Sequence, residues 1–327
     1  MLKENEIRTV THLSPTSLST YLRDKDAFYT SYLAENRPPR MQHTKPMSIG
    51  SSFDAYAKSY LYEQLKIGND VNYSFESLFK TQVEEHNRTW AREHGKIAFD
   101  AYAKSGALGD LLAALKQSVG RPRFEFDVTG MVSGFIGSEQ RSVLLKGKPD
   151  TFYINSAGAR VILDWKVNGY CAESIVSPMP GYIKLRSAAD QTVKQHKDAF
   201  IMTVGGVKIN AGTYLENLNE DWARQLSFYG WLCGCEVGSE FIVAIDQLAC
   251  GAGTIRIAEH RLRISPEFQF ATFEQAVETM DVITSDHYFR DLSKEDSAAR
   301  CLMLDQMAET LEGDGSSSDD WFSKVTR

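Results

Sequence analysis

The chain has 327 residues, with 36 Lys and Arg against 43 Asp and Glu for a formal net charge of -7, and 43% of its residues are apolar. That is enough apolar side chain for a sizeable core in one elaborated domain or two, while no run approaches the roughly 18 apolar residues that a membrane span requires. The charged opening Met1-Leu2-Lys3-Glu4-Asn5-Glu6 lacks an apolar signal region, and five cysteines without framework spacing suit a reducing compartment, so a cytoplasmic location is expected.

Helical patterns run over residues 17–34, 51–65 and 74–105, the last with a break expected near Gly95, and over residues 108–118. Residues 123–128 alternate as an opening strand whose Glu125 and Asp127 share a face; Glu125 is a candidate accessory ligand, and a solvent-facing carboxylate is the competing reading. Two apolar-rich segments follow, 143–153 and 160–167, joined by the turn residues Asn155-Ser156-Ala157-Gly158, which together read as a hairpin. With the turn centred on Ala157, Asp150 faces Asp164 across the ladder. Lys166 then projects on the face of Asp164, because side chains alternate along a strand. Facing carboxylates repel unless a cation lies between them. An all-oxygen site suits Mg²⁺ or Mn²⁺, which can acidify a water and stabilise charge on a phosphate, the two needs of phosphodiester hydrolysis. Taken alone, Asp-x-Lys also reads as an ordinary exposed salt bridge.

Residues 169–220 form an unusually long connection. Within it, residues 200–204 and 207–210 flank Gly205-Gly206, a two-residue hairpin signal, and the approach is basic at Lys184, Arg186 and Lys194. The segment reads as a projecting arm: a clamp or wedge on DNA, with Lys184 and Arg186 as DNA-positioning residues, or else an oligomer contact. Residues 240–247 and 254–264 read as further strands and residues 272–285 as a covering helix. Acidic residues gather between Glu309 and Asp320 around a flexible composition at 313–318, which places part of the negative charge in a tail. Its Asp319-Asp320-Trp321-Phe322 has the makings of a short peptide ligand. Basic residues cluster elsewhere, at Arg37, Arg40, Arg121, Arg123, Lys146 and Lys148, as candidates for a DNA groove. There is no Gly-rich phosphate loop, and hence no sign of an ATP-driven motor.

Gly147-Lys148-Pro149-Asp150 followed by Asp164-Trp165-Lys166 resembles the PD-(D/E)xK nuclease superfamily. Three further segments resemble its RecB-like exonuclease branch. These are Leu13-Ser14-Pro15-Thr16-Ser17-Leu18 with the aromatics that follow, Gly50-Ser51-Ser52-Phe53-Asp54, with aspartate where many members carry histidine, and Gln225-Leu226-Ser227-Phe228-Tyr229. The resemblance implies an α/β fold: a restriction-endonuclease-like core with a central mixed sheet flanked by helices, an N-terminal helical segment and an inserted β-hairpin arm. The implied organisation is a helical part over 1–120, the core over 121–305 with its insertion at 169–220, and an acidic tail over 306–327. It further implies Asp150, Asp164 and Lys166 as catalytic residues. Asp54, Asp150, Asp164 and the Trp165 backbone carbonyl would be ligands of Mg²⁺ or Mn²⁺, and Gln225 and Tyr229, four apart on one helical face, would position DNA. Relatives with an iron–sulfur cluster carry one cysteine before the core and three after it. Here Asp24-Lys25 stands at the early position and no cysteine precedes Cys171, so no cluster is expected. Stand-alone chains of this kind resemble phage and prophage exonucleases that resect duplex ends and pass single strands to an annealing or other recombination protein. An endonuclease of repair or defence, or a non-catalytic DNA-binding subunit, remains the alternative.

Overall fold

The computed structural model of the chain describes residues 10–34, 42–67, 73–170, 176–251 and 254–285. Arg37, Arg40, Cys171 and the acidic tail lie outside these residues. The N-terminal third is helical: α1 (Pro15–Arg23), α2 (Lys25–Phe28) running into a π-helical turn at Tyr29–Leu33, α3 (Lys45–Leu65), α4 (Phe75–Gln82), α5 (Arg88–Lys104) and α6 (Ala107–Lys116).

Two of the expected helices divide elsewhere than the pattern suggests. The span 17–34 is broken at Asp24, which ends α1 in an extended conformation and caps α2 by accepting from the Asp26 and Ala27 amides at 3.0 Å. The span 74–105 breaks at residues 83–87 instead of Gly95, which sits inside α5. A Cβ at Gly95 would fall 2.2 Å from Ser52 Oγ, so the glycine lets α5 cross close to α3 and does not end the helix.

The strands are β1 (Arg123–Phe124), β2 (Val128–Ile136), β3 (Glu139–Gly147), β4 (Thr151–Ile154), β5 (Arg160–Asn168), β6 (Lys184–Ser187), β7 (Val193–Gln195), β8 (Ile201–Val204) and β9 (Val207–Asn210). Helix α7 (Glu220–Leu232) leads to β10 (Ile242–Gly251) and β11 (Thr254–Leu262), and α8 (Pro266–Thr284) closes the described chain. A seven-stranded sheet runs β1-β4-β5-β10-β11-β6-β7, with β5 and β10 parallel and the other pairs antiparallel. It is a mixed central sheet flanked by helices, the architecture of a restriction-endonuclease-like core. Its β4–β5 hairpin has Ile154 opposite Arg160 and Thr151 opposite Leu163, a turn centred on Ala157.

Alternation along β5 divides the interior. Ile162 joins Val243, Ile245, Leu226, Phe228 and Phe273 in a core under α1, α7 and α8. Val161, Leu163 and Trp165 join Phe53, Leu61, Tyr102 and Leu248 in a second core under α3, α5 and α6. Each fully buried Leu or Phe contributes about 1.5–3 kcal/mol, so the two cores fix the sheet from both sides.

The hairpin expected at residues 200–210 exists, but it does not project. Gly205 and Gly206 take the positive φ values of 51° and 76° that its tight turn needs. Asn155 Nδ2 donates to the Gly205 carbonyl at 2.6 Å, and Ile209 and Asn210 are buried as β9 packs along β11. The opening strand is also shorter than its alternation implies, because Glu125 turns the chain with φ of 40°.

The ribbon β2–β3 stands outside the main sheet and packs on α7 and α8. At its end, a Cβ on Gly147 would lie 2.9 Å from both the Tyr229 ring and Leu232, so only glycine lets α7 pass this close. Gly147→Ala is therefore expected to destabilise the protein by about 1–3 kcal/mol through overpacking, read as a lower midpoint in urea with an unchanged slope.

Candidate active site

At Lys148-Pro149-Asp150 the chain leaves the ribbon and enters the main sheet. Proline has no N–H to offer a ladder, so pairing with β2 ends at Gly147 and pairing with β5 begins at Thr151. One further step of that register sets Asp150 opposite Asp164, and Asp150 Oδ2 accepts the Trp165 amide at 3.2 Å. Asp164 is buried. Lys166 Nζ lies 2.7 Å from its Oδ2 and donates to Gln225 Oε1 at 2.8 Å. Gln225, on α7, donates through Nε2 to Tyr229 Oη at 3.0 Å and reaches Asp164 Oδ1 at 3.4 Å. The four-residue spacing of Gln225 and Tyr229 thus turns both toward the same carboxylate.

Helix α3 supplies the other half. Asp54 and Lys58 are one turn apart, and the Lys58 ammonium is buried 2.5 Å from Asp54 Oδ2, 3.2 Å from Glu125 Oε2 and 3.5 Å from Asp150 Oδ1. Gln82, the last residue of α4, donates to both Asp54 at 3.0 Å and Glu125 at 2.5 Å, and Lys148 pairs with Glu125 from the other side. The positive φ of Glu125 brings this side chain back to the cluster, a strained backbone of the kind held only where surroundings fix it. These groups line a cleft of about 420 Å³ with Gly50, Ser51 and Trp165.

Burial raises the Asp164 carboxyl to about 6; Lys166 opposes the shift and Asp150 adds to it. Asp54 is raised to about 7 by burial and by its neighbours Asp150 and Glu125, against the pull of Lys58. Burial alone would lower the Lys58 ammonium, but Asp54, Asp150 and Glu125 together hold it above its ordinary value. Glu125 goes the other way: burial disfavours its charge, yet Lys58 and Lys148 pull it below the ordinary range.

The donor set fits a divalent cation. Asp54 Oδ1 is buried without a hydrogen-bond partner and Asp164 Oδ2 is buried with the Lys166 ammonium beside it, and hard carboxylate oxygens are the ligands Mg²⁺ and Mn²⁺ take. Among the described residues no three Asp, Glu, His or Cys stand together as a ready metal-binding group. Lys58 and Lys166 instead lie among the carboxylates.

The structure therefore brings Asp54, Glu125, Asp150, Asp164, Lys166, Gln225 and Tyr229 into one neighbourhood, with Trp165 held from the far side. The Trp165 indole donates to Tyr102 Oη at 3.3 Å, Tyr102 donates to Asp246 at 2.5 Å, and Arg261 pairs with Asp246 at 2.7 Å. Lys184 and Arg186, read from the sequence as DNA-positioning residues, lie outside this neighbourhood. On β6 they meet Glu259 of β11: Arg186 is buried, 2.6 Å from Glu259 and paired with Asp110, while Lys184 lies 3.7 Å from Glu259 and 3.5 Å from Asp110. The Arg186 charge is matched inside the fold, and Lys184 stays partly exposed beside it. Lys58 and Gln82 are the site residues that sequence reading missed. Asp54-x-x-x-Lys58 carried a signal, an acid one turn before a lysine on a helix rich in buried residues; Gln82 carried none.

The family model of the PD-(D/E)XK nuclease superfamily matches residues 12–175. Among curated proteins none matches the chain. Among solved structures it is similar to one titled "Crystal structure of SSO0001", at 10% identity over 81% of this chain and 82% of that chain, with a TM-score of 0.25, a likeness too distant to bear on the site.

The raised carboxyls would make metal binding at this site depend on pH. A carboxyl whose folded-state pKa exceeds its unfolded value, here 3.8, adds stability that is complete below about pH 4 and is lost as pH rises through the folded value, about 6 for Asp164 and about 7 for Asp54. The metal-free fold thus bears their uncompensated charge near pH 8, where a divalent cation relieves it. Near pH 5 the cation must displace protons first. Millimolar Mg²⁺ is expected to raise the melting temperature of the DNA-free protein more near pH 8 than near pH 5; an equal or reversed effect would reject this linkage.

Proposed function

This chain belongs to the PD-(D/E)XK nuclease superfamily, and within it we propose that the protein is a Mg²⁺- or Mn²⁺-dependent deoxyribonuclease, an exonuclease acting on duplex ends in recombination or repair. The observation that carries the reading is the convergence of Asp150, just before β4, with Asp164 and Lys166 of the adjacent β5, and with Gln225 tied to both Lys166 and Asp164. The narrower assignment to exonuclease action draws on the likeness of the N-terminal segment and of Gln225 and Tyr229 to the RecB-like branch. A single-strand annealing or other recombination protein is the partner that this activity would serve. No helix among the described residues is long and apolar enough to cross a membrane.

Asp150, Asp164 and the Trp165 carbonyl would hold the ion, which when bound polarises the scissile phosphate and acidifies a water. The remaining work falls to protein groups. Lys166 presents a fixed ammonium that stabilises the negative charge developing on the phosphoryl oxygens or orients the attacking water. Gln225 fixes the Lys166 ammonium through its amide oxygen, and Tyr229 fixes the Gln225 amide in turn. Because both partners are set before substrate arrives, little reorganisation remains for the reaction itself. Tyr229 is held protonated, its pKa raised by burial although Gln225 opposes the shift, so it serves as a brace and not as a base.

The test is a time course on linear and circular duplex DNA with Mg²⁺, Mn²⁺ or chelator. Metal-dependent loss of linear DNA alone is expected, nicking of the circle would replace the exonuclease with an endonuclease, and inert DNA would reject catalysis. Asp164→Asn should lower the rate roughly 10²-fold or more while leaving the melting temperature unchanged or higher, since it removes a buried charge that the fold disfavours. Parallel loss of stability and activity would count against the assignment.

A further inference from the structure

Gly50, Asp54 and Lys58 form one stripe of α3, and the last of them places a permanent cation inside the carboxylate cluster. Lys58 is 1% exposed, and its ammonium lies within 3.5 Å of carboxylates from three separate parts of the chain: Asp54 on α3, Glu125 after β1 and Asp150 before β4. An ammonium has three N–H donors and no acceptor, so these three carboxylates match its whole capacity. Removing such a charge from water is costly unless opposite charge surrounds it, which ties the position of Lys58 to what it neutralises.

The Asp164 side is arranged differently. There the cation beside the carboxylate is Lys166, 2.7 Å from Asp164 Oδ2, and unlike Lys58 it is partly exposed and also tied to Gln225. Asp150 is shared, with Oδ1 toward Lys58 and Oδ2 on the Trp165 amide. Nucleases that use two ions clamp a phosphate between them, and each ion needs carboxylates of its own. Here the carboxylates of one half already hold a cation that cannot leave.

Resting on the function proposed above, we infer that Lys58 is a resident cation that occupies the Asp54, Glu125 and Asp150 half of the site in place of a second divalent ion. The chain accordingly takes up one divalent ion, on the side of Asp150 and Asp164. Lys58 contributes charge and hydrogen-bond donors but no Lewis acidity, so the acidified water has to come from the Asp164 side alone.

The experiment counts Mn²⁺ bound to the DNA-free protein by electron paramagnetic resonance, with the melting temperature as a second readout. The native chain should bind one Mn²⁺, and Lys58→Met should bind two, with a larger Mn²⁺-induced rise in melting temperature than the native chain shows. Adding Glu125→Gln to Lys58→Met should return the count to one and also relieve repulsion in a variant that folds poorly without metal. Two ions in the native chain, or one in both the native chain and Lys58→Met, would overturn the inference. No Mn²⁺ bound to either would overturn the metal-dependent nuclease reading and this inference with it, a result distinct from a wrong count.

Discussion

Two like unit charges 4 Å apart repel by about 1 kcal/mol in water and by several times that where protein displaces solvent. The carboxylates of Asp54, Glu125, Asp150 and Asp164 gather in such a place, and the local structure follows from settling their repulsion. Lys58 is driven into the interior among three of them, Lys166 lies against the fourth, and Lys148 closes on Glu125 from the cleft. What the lysines leave unsettled is visible in the raised carboxyls of Asp54 and Asp164. Such residual charge is what a bound cation would offset. The site is therefore built short of neutrality, at some expense in stability of the metal-free fold.

Holding such a cluster requires a stiff support. Strand β5 has neighbours on both edges and cores on both faces, and beneath it Tyr102, Asp246 and Arg261 make a second charged group that is closed on itself. The contrast is instructive. Asp246 has an arginine at 2.7 Å and a tyrosine donor at 2.5 Å, so its charge is matched locally and it anchors the Trp165 indole. A third group, Arg186 with Glu259 and Asp110, ties β6 to β11 and α6. Two of the three clusters are structural, and what separates the candidate active site from them is its open cleft and the Asp54 oxygen that no donor or cation meets.

Local rules made the centre of the site legible in the sequence. A turn centred on Ala157 and the alternation of a strand suffice to set Asp150 opposite Asp164 and beside Lys166, because both are short-range properties of a hairpin. The same short range explains the errors. Lys184 and Arg186 look like free basic residues until β6 is laid beside β11, and nothing near them in sequence announces Glu259. The 201–210 hairpin shows its turn in Gly205-Gly206, yet whether it projects depends on β11 and on Asn155, both distant in the chain. Gly95 reads as a helix breaker when the partner it accommodates, Ser52, is out of view. Glu125 sits in an alternating pattern that its own backbone reverses, and the partners that give that reversal a reason, Lys58, Lys148 and Gln82, are not legible beside it.

The parallel pairing of β5 with β10 has a consequence for how the molecule comes into being. The β4–β5 hairpin closes over few residues and can form early, but residues 161–168 find their partners only at residues 242–249. Closing so long a loop carries a large entropic cost and slows assembly. Until β10 arrives, one edge of an apolar strand offers a row of unpaired N–H and C=O groups, a template for pairing with another chain. The strand bearing Asp164 is thus exposed to misassociation during synthesis. The ribosome must also deliver some eighty residues beyond the motif before that edge is covered.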